Sequence, residues 1–373
     1  MKKITVNKFL IKSKSRGNIF IPIFVTLLAV IGTVFIYSAS CYSAKATYGD
    51  AFYFVKKQVI GILLGIVAMI FTGTMDYNKI KKLKIPVCVL APVLLALVFI
   101  PNIGVENYGA KRWIGIGPIT IQPSEFAKFA LIVFSACYIS KNPEKIKNFV
   151  GILPILLYGG LLCVLIILEP NMSITVCVGL LMISMLFAGG MRFKHFAILL
   201  IPAILLGVFL ILLEPYRLNR LSAFLNPWAS PKGEGYQLLQ SLYALGSGGW
   251  FGVGLFNSRQ KYAFLPFSES DFILSIIGEE IGFVGLIFFF ALLIFIIFCG
   301  IKTASRAKDI FGFILATGIT LIFGIQVIVN ALVVTGSIPP TGLPLPLVSS
   351  GNTSIVIFMA EMGILYSISK PKN

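Results

Sequence analysis

Histidine is all but absent from this chain: His195 is the only one, in a short polar connection between two apolar stretches. That excludes a Ser-His-Asp triad or a His-rich metal centre in the loops across the membrane from it, because each needs imidazole beside the reacting group. Acidic residues are also scarce, 14 Asp and Glu against 31 Lys and Arg, so acid–base chemistry falls to a small set of carboxylates. The six cysteines (Cys41, Cys88, Cys137, Cys163, Cys177, Cys299) are scattered without paired spacing, which supports neither a disulfide framework nor a zinc site. They read as small apolar packing residues.

What the chain has is apolar length. With 57% hydrophobic residues, 12% charged residues and a mean hydropathy of +0.94 over 373 residues, it falls outside soluble domains and among polytopic membrane proteins. Mostly apolar segments of about 18 residues or more run over roughly 19–40, 58–75, 85–101, 123–140, 150–168, 172–190, 196–213, 272–300, 310–334 and 351–369. The expected fold is therefore all-α, a single ten-helix membrane domain over 19–369 between a basic tail (1–18) and a short terminus (370–373). Ten spans put both termini on one side. Twenty of the 31 basic residues fall in alternate connections on that side: Lys2 to Arg16, Lys79 to Lys84, Lys141 to Lys147, Arg192 and Lys194, Lys302 to Lys308, Lys370 and Lys372. Lys and Arg are retained in the cytoplasm, so both termini are expected there, and the 214–271 connection between the seventh and eighth spans faces out. The net charge of +17 is thus topogenic and gives no reason to expect nucleic acid. The first apolar run is too long for a cleaved signal and reads as a retained helix.

Three outward connections hold most of the polar chemistry. The first, about 102–125, contains Lys111-Arg112-Trp113 and Gln122-Pro123-Ser124-Glu125. The second, 214–271, carries Arg217, Arg220, Lys232, Arg259 and Lys261 and ends at Asp271. The third is Gly336-Ser337-Ile338-Pro339-Pro340-Thr341-Gly342-Leu343-Pro344-Leu345-Pro346. Irregular backbone at membrane depth must be satisfied by protein or water, so the third lines a cavity or is a connector kept from lipid. Asp271, at the top of an apolar helix, suits a general base whose proton affinity is raised by partial desolvation; its position also suits a helix N-cap. Arg217, Arg220 and Lys261 fit either the phosphates of a lipid-linked substrate or anionic headgroups. Lys111 and Arg112 share that ambiguity, with Trp113 as an interfacial anchor. Glu125 and Lys128, one turn apart, fit a structural ion pair or a direct role. Glu279, Glu280 and Glu361 are further carboxylates within spans; the adjacent Glu279 and Glu280 point about 100° apart, so at most one should face a given partner, either Lys128 or a cavity beneath Asp271.

These loops together resemble the SEDS family (shape, elongation, division and sporulation), which includes FtsW, RodA and SpoVE. The resemblance rests on Arg112-Trp113-Ile114, Gln122-Pro123-Ser124-Glu125 with Lys128, Tyr216-Arg217 and Arg220, Phe224-Leu225-Asn226-Pro227-Trp228, Gly235-Tyr236-Gln237, Gly246-Ser247-Gly248-Gly249, Ser258, Gln260-Lys261, Asp271-Phe272-Ile273, Gly278-Glu279-Glu280 and Pro340 to Pro346. Tyr37-Ser38-Ala39-Ser40 and Gly49-Asp50-Ala51-Phe52 look closer to the FtsW and SpoVE branch than to RodA. The chain departs from the family pattern at Phe267, where Glu is common after Leu-Pro, and at Ser270, Glu169-Pro170-Asn171 and Ser349-Ser350-Gly351-Asn352. The loss of a carboxylate at Phe267 puts a metal role beside Asp271 in doubt.

The resemblance implies a peptidoglycan glycosyltransferase of the bacterial cytoplasmic membrane that polymerises lipid II on its outer face for division or sporulation, with a class B penicillin-binding protein as partner among divisome, elongation or sporulation proteins. It makes Asp271 the catalytic residue. Arg217, Lys261, Arg220, Lys111, Arg112, Gln122, Ser124, Glu125, Lys128, Ser258 and Glu279 become the substrate-binding set. Such a reaction needs a base, positive charge for the leaving pyrophosphate and no organic cofactor. A divalent cation such as Mg²⁺ would help neutralise the pyrophosphate and is expected with the substrate, because the sequence holds no dedicated metal cage. Two competing readings are a lipid II flippase and a noncatalytic scaffold that activates the penicillin-binding protein.

Overall fold

The computed structural model describes residues 17–101, 103–107, 110–116, 119–212 and 215–371. In chain order its helices are α1 (Phe20–Tyr48), α2 (Tyr53–Thr74), α3 (Asn78–Lys82), α4 (Lys84–Leu97), α5 (Pro123–Lys141), α6 (Phe149–Leu168), α7 (Met172–Ala188), α8 (Phe193–Leu212), α9 (Pro215–Leu225), α10 (Tyr236–Gly248), α11 (Ile273–Ser305), α12 (Ile310–Val334) and α13 (Asn352–Ser369). Each of the ten expected apolar segments coincides with a helix. Six of these, α1, α2, α6, α11, α12 and α13, are long and apolar enough to cross a membrane, so the chain is a polytopic helical membrane protein.

Lipid tails are as apolar as leucine, so helices in a bilayer associate through close packing of small residues rather than by the hydrophobic effect. The contact between α2 and α13 shows this. Thr72 donates its hydroxyl to the Ala360 carbonyl at 2.8 Å, and a Cβ added at Gly363 would strike Thr72 and the Met69 carbonyl. On the same face Gly61 and Gly65 meet Ile355 and Met359.

The all-α expectation missed one element. The 102–125 connection forms an antiparallel sheet of β1 (Gly104–Asn107), β2 (Ala110–Ile116) and β3 (Ile119–Ile121), in the order β1-β2-β3. Its β-branched residues Val105, Ile114, Thr120 and Ile121 favour strands, and the Ile114↔Ile121 register leads straight into Pro123 at the first turn of α5. The sheet is pinned to α13 by Thr353, which donates to the Thr120 carbonyl at 3.1 Å and accepts from the Gln122 amide at 3.2 Å.

The 214–271 stretch is more than a loop. Besides α9 and α10 it contains a backbone hairpin turn at 249–254, without strands of its own, that pairs with the first third of α11. That helix is broken at Gly282 (φ 66°, ψ −173°), and the broken segment exchanges backbone bonds with the hairpin. Val253 and Gly254 donate to the carbonyls of Glu279 and Glu280 at 2.9 and 3.1 Å, while Phe283 and Val284 donate to Gly249 and Trp250 at 2.9 and 3.0 Å. The interruption therefore leaves these groups paired, as a low-dielectric setting requires. Glycine makes the approach feasible: at Gly252 (φ +80°) a Cβ would collide with the Glu280 carbonyl.

Candidate active site

The turn before α11 lifts Asp271 into place. The Phe267 carbonyl accepts from the amides of Ser270 (3.1 Å) and Phe272 (3.4 Å), and Phe272, buried at 1% exposure, plugs the turn into the core. Asp271 does not cap the helix: Phe272 occupies the N-cap position and no side chain caps it. The carboxylate is half-buried, accepts the Ser270 hydroxyl on Oδ1 at 2.9 Å, and turns Oδ2 toward Gly342, where an added Cβ would lie 3.4 Å away. A bare glycine backbone thus faces the acid. Burial pushes the Asp271 carboxyl up to about 6, against the opposing pull of the Ser270 hydroxyl and the charges of Arg220 and Arg112. Glu269 is also pushed up, first by burial and then by Asp271.

The Pro-rich third loop and the turn that follows it are fastened over this acid from α12, α9 and the turn before α11. Asn330 on α12 donates its amide to the Asp271 carbonyl at 2.8 Å and the Leu343 carbonyl at 3.0 Å. Ser349 donates to the Ser270 carbonyl at 2.6 Å and accepts from the Leu345 amide at 2.8 Å, and the Ser350 amide reaches the Glu269 carbonyl at 2.9 Å. Arg220, from α9, donates to the Pro340 carbonyl at 3.4 Å. Arg112, from β2, donates to the Glu169 carbonyl at 3.3 Å and to that of Pro170. Glu169, whose carboxyl oxygens are buried without a hydrogen-bond partner, is pushed up to about 8 by burial, with Arg112 pulling it down. Two guanidinium groups on separate elements, each holding a neighbouring loop carbonyl, therefore lie within electrostatic reach of one carboxylate of raised proton affinity. That arrangement suits proton abstraction beside a developing anion.

The other expected site residues divide. Lys111 is exposed on β2. Gln122 is engaged through its backbone, and the Ser124 hydroxyl is buried without a partner. The Arg217 side chain lies outside the described residues. Glu125 and Lys128 form a buried pair at 2.7 Å, within electrostatic reach of Glu361 on α13; among the described residues the ion pair of Lys128 is with Glu125 rather than with Glu279 or Glu280. Those two glutamates instead hold the 256–261 turn: Ser258 donates its hydroxyl to Glu279 and its amide to Glu280 at 3.4 Å, while Arg259 donates its amide to Glu279 at 2.9 Å. The expectation that only one of them faces a given partner fails because Ser258 sits between them and offers a different donor to each. Glu280 also accepts from Ser38 on α1. Lys261 is 5% exposed and donates its ammonium to the Phe256 carbonyl. Ser258, Lys261 and Glu279 are thus brought to one another, in a cluster that braces the loop.

Asn330, Ser349, Ser270 and Gly342 complete the surroundings of Asp271; in the sequence Ser270 and Ser349 stood out only as departures from the family pattern and Gly342 only as part of the third loop, and Asn330 was passed over. Asn330 had a readable signal: with Gln326 it is one of two amides in the apolar α12, and an amide in a span is costly unless used. Asn330→Leu would leave two buried carbonyls without their donor, at about 1–3 kcal/mol. The expected result is a lower thermal midpoint in detergent, and a midpoint equal to the parent protein would show that the tie is dispensable.

Residues 18–373 match the profile of the FtsW, RodA and SpoVE family, described as "Cell cycle protein". Stage V sporulation protein E of Bacillus subtilis is 38% identical over 359 residues, 96% of this chain and 98% of that protein. The probable peptidoglycan glycosyltransferase FtsW of Geobacter metallireducens is 38% identical over 363 residues, 97% of each. Among solved structures, a chain of a peptidoglycan synthase complex superposes with a TM-score of 0.77 at 24% identity, covering 95% of this chain and 97% of that one. RodA of Thermus thermophilus superposes with a TM-score of 0.69 at 22% identity, covering 95% and 96%. These two likenesses concern the fold. With the profile and the relatives matching almost end to end, the chain belongs to the FtsW, RodA and SpoVE family.

Proposed function

We propose that this protein is an inverting peptidoglycan glycosyltransferase that polymerises lipid II at the outer face of the bacterial cytoplasmic membrane. The observation that carries the reading is Asp271, half-buried beneath the loop that Asn330 and Ser349 tie down, with its proton affinity raised and within electrostatic reach of Arg112 and Arg220. Relatives called probable peptidoglycan glycosyltransferases over nearly their whole length support it. In this topology ten helices cross the bilayer, both termini are cytoplasmic and the 214–271 segment lies outside.

A sugar hydroxyl of one lipid-linked disaccharide attacks the anomeric carbon of another. The new glycosidic C–O bond forms as the C–O bond to pyrophosphate breaks, and the hydroxyl proton passes to Asp271. The electron pair leaves on the pyrophosphate, where Arg112 and Arg220 stabilise the charge. A single displacement inverts the anomeric centre and needs no second carboxylate as nucleophile. Among the described residues no three His, Cys, Asp or Glu side chains stand close enough to hold a metal ion; the divalent cation is assigned to the substrate's pyrophosphate, whose charge it offsets. A class B penicillin-binding protein is the partner that cross-links the product.

The test is glycan synthesis from purified lipid II by the reconstituted protein, with and without a cognate class B penicillin-binding protein. Polymer is expected. Transbilayer movement of labelled lipid II without polymer would favour a flippase, and stimulation of the partner's cross-linking without polymer would favour a scaffold.

A further inference from the structure

The hairpin that pairs with the break in α11 carries the least polar stretch of the segment between α8 and α11. From Tyr236 to Ser258 there is no charged residue. Its tip exposes large apolar side chains, Trp250 at 68% and Phe251 at 82%, and Leu255 and Phe256 just after it are exposed too, at 52% and 46%. A water-exposed loop with that surface would be an aggregation or binding liability.

Depth decides what covers it. Between Gly282, opposite the hairpin, and Lys302 at its basic end, α11 rises ~30 Å at about 1.5 Å per residue, which matches the thickness of a hydrocarbon core of about 30 Å. With Lys302, Arg306 and Lys308 at one boundary, Gly282 and the hairpin fall at the other. The apolar surface is continuous there: the Trp250 ring meets Phe283 edge-on at 5.4 Å. From Phe283 the exposed side chains run down α11 through Ile287, Ile294 and Phe298. Tryptophan belongs at such a boundary, where its ring is apolar and its N–H is wet.

We propose that the 249–254 hairpin is an interfacial anchor, with Trp250 and Phe251 seated among the acyl chains of the leaflet opposite Lys302. The occupant of this surface is membrane lipid, not a second copy of the chain or a soluble partner. Because the hairpin's backbone is bonded to Glu279, Glu280, Phe283 and Val284, the anchor holds the break in α11 at the bilayer edge. Through the Ser258 and Lys261 cluster it also fixes the loop that leads to Asp271.

Trp250 is its own reporter, since the chain has three tryptophans and the other two, Trp113 and Trp228, can be replaced. The full-length W113F/W228F protein is reconstituted in phosphatidylcholine vesicles with bromines at shallow or deep chain positions. Shallow bromines are expected to lower Trp250 emission about twofold and deep ones less, as for an interfacial indole, with little quenching by aqueous iodide. Should that double variant not fold, the same contribution is read as the difference between the parent protein and W250F. Strong iodide quenching with weak bromolipid quenching would put the hairpin in water and overturn the proposal. So would protection from both quenchers, which would mean that protein covers it.

Discussion

Asp271→Asn is expected to abolish polymerisation while leaving the protein folded, because the amide keeps the size of the carboxylate and removes only its basicity. Losing a general base costs about 10²–10⁴ in rate, and glycan yield from lipid II at neutral pH should fall accordingly. The pH profile makes the assignment sharper. The base acts ionised, and the Asp271 carboxyl is raised to about 6, chiefly by burial and against the pull of Ser270, Arg220 and Arg112. Below pH 6 the parent rate should therefore drop about tenfold per unit and level off above it. Residual turnover by Asp271→Asn should show no such inflection. Ser270→Ala removes the hydroxyl that favours the ionised form, so it should move the inflection upward. A stable Asp271→Asn protein that polymerises like the parent, or a parent profile flat through pH 6, would remove Asp271 from the chemistry.

The helical part of the fold was legible in the length and polarity of the apolar runs, which is why each of the ten segments coincides with a helix, six of them long and apolar enough to cross a membrane. The outer segments were legible as composition but not as shape. The short β1–β3 sheet depends on pairing between strands of three to seven residues, too brief for periodicity to separate from a loop. The 249–254 hairpin depends on the conformation of Gly282, a residue whose surroundings in the sequence read as uninterrupted helix. The candidate site shows the same division. Asp271 stood out because a carboxylate beside an apolar run is rare here, whereas the roles of the basic residues were set by tertiary contacts. Lys261 and Arg220 look alike in sequence; one is buried against Phe256, the other reaches the Pro340 loop beside Asp271. The partner of Asn330, not the residue itself, was hidden by distance, since the Asp271 carbonyl it holds lies 59 residues away.

Lys128→Met should destabilise the protein by more than any loop substitution. Lys128 and Glu125 are 2% and 1% exposed and 2.7 Å apart, and removing one member of a buried pair typically costs about 3–5 kcal/mol because the other charge is left uncompensated. Here the cost is compounded: Glu125 Oε2 and Glu361 Oε2 already lack hydrogen-bond partners, so two carboxyl groups would face each other's surroundings without the ammonium. Adding Glu125→Gln to Lys128→Met removes the stranded charge and should restore most of the thermal midpoint in detergent, since neutral groups of similar size often replace a buried pair at little cost. Glycan synthesis then separates structure from chemistry. The ammonium is bonded to Glu125 and nearly inaccessible, so the pair is assigned to structure and the double variant should polymerise lipid II once its fold is recovered. A double variant with the parent's midpoint and no polymer would instead place the charge of Lys128 in the reaction itself.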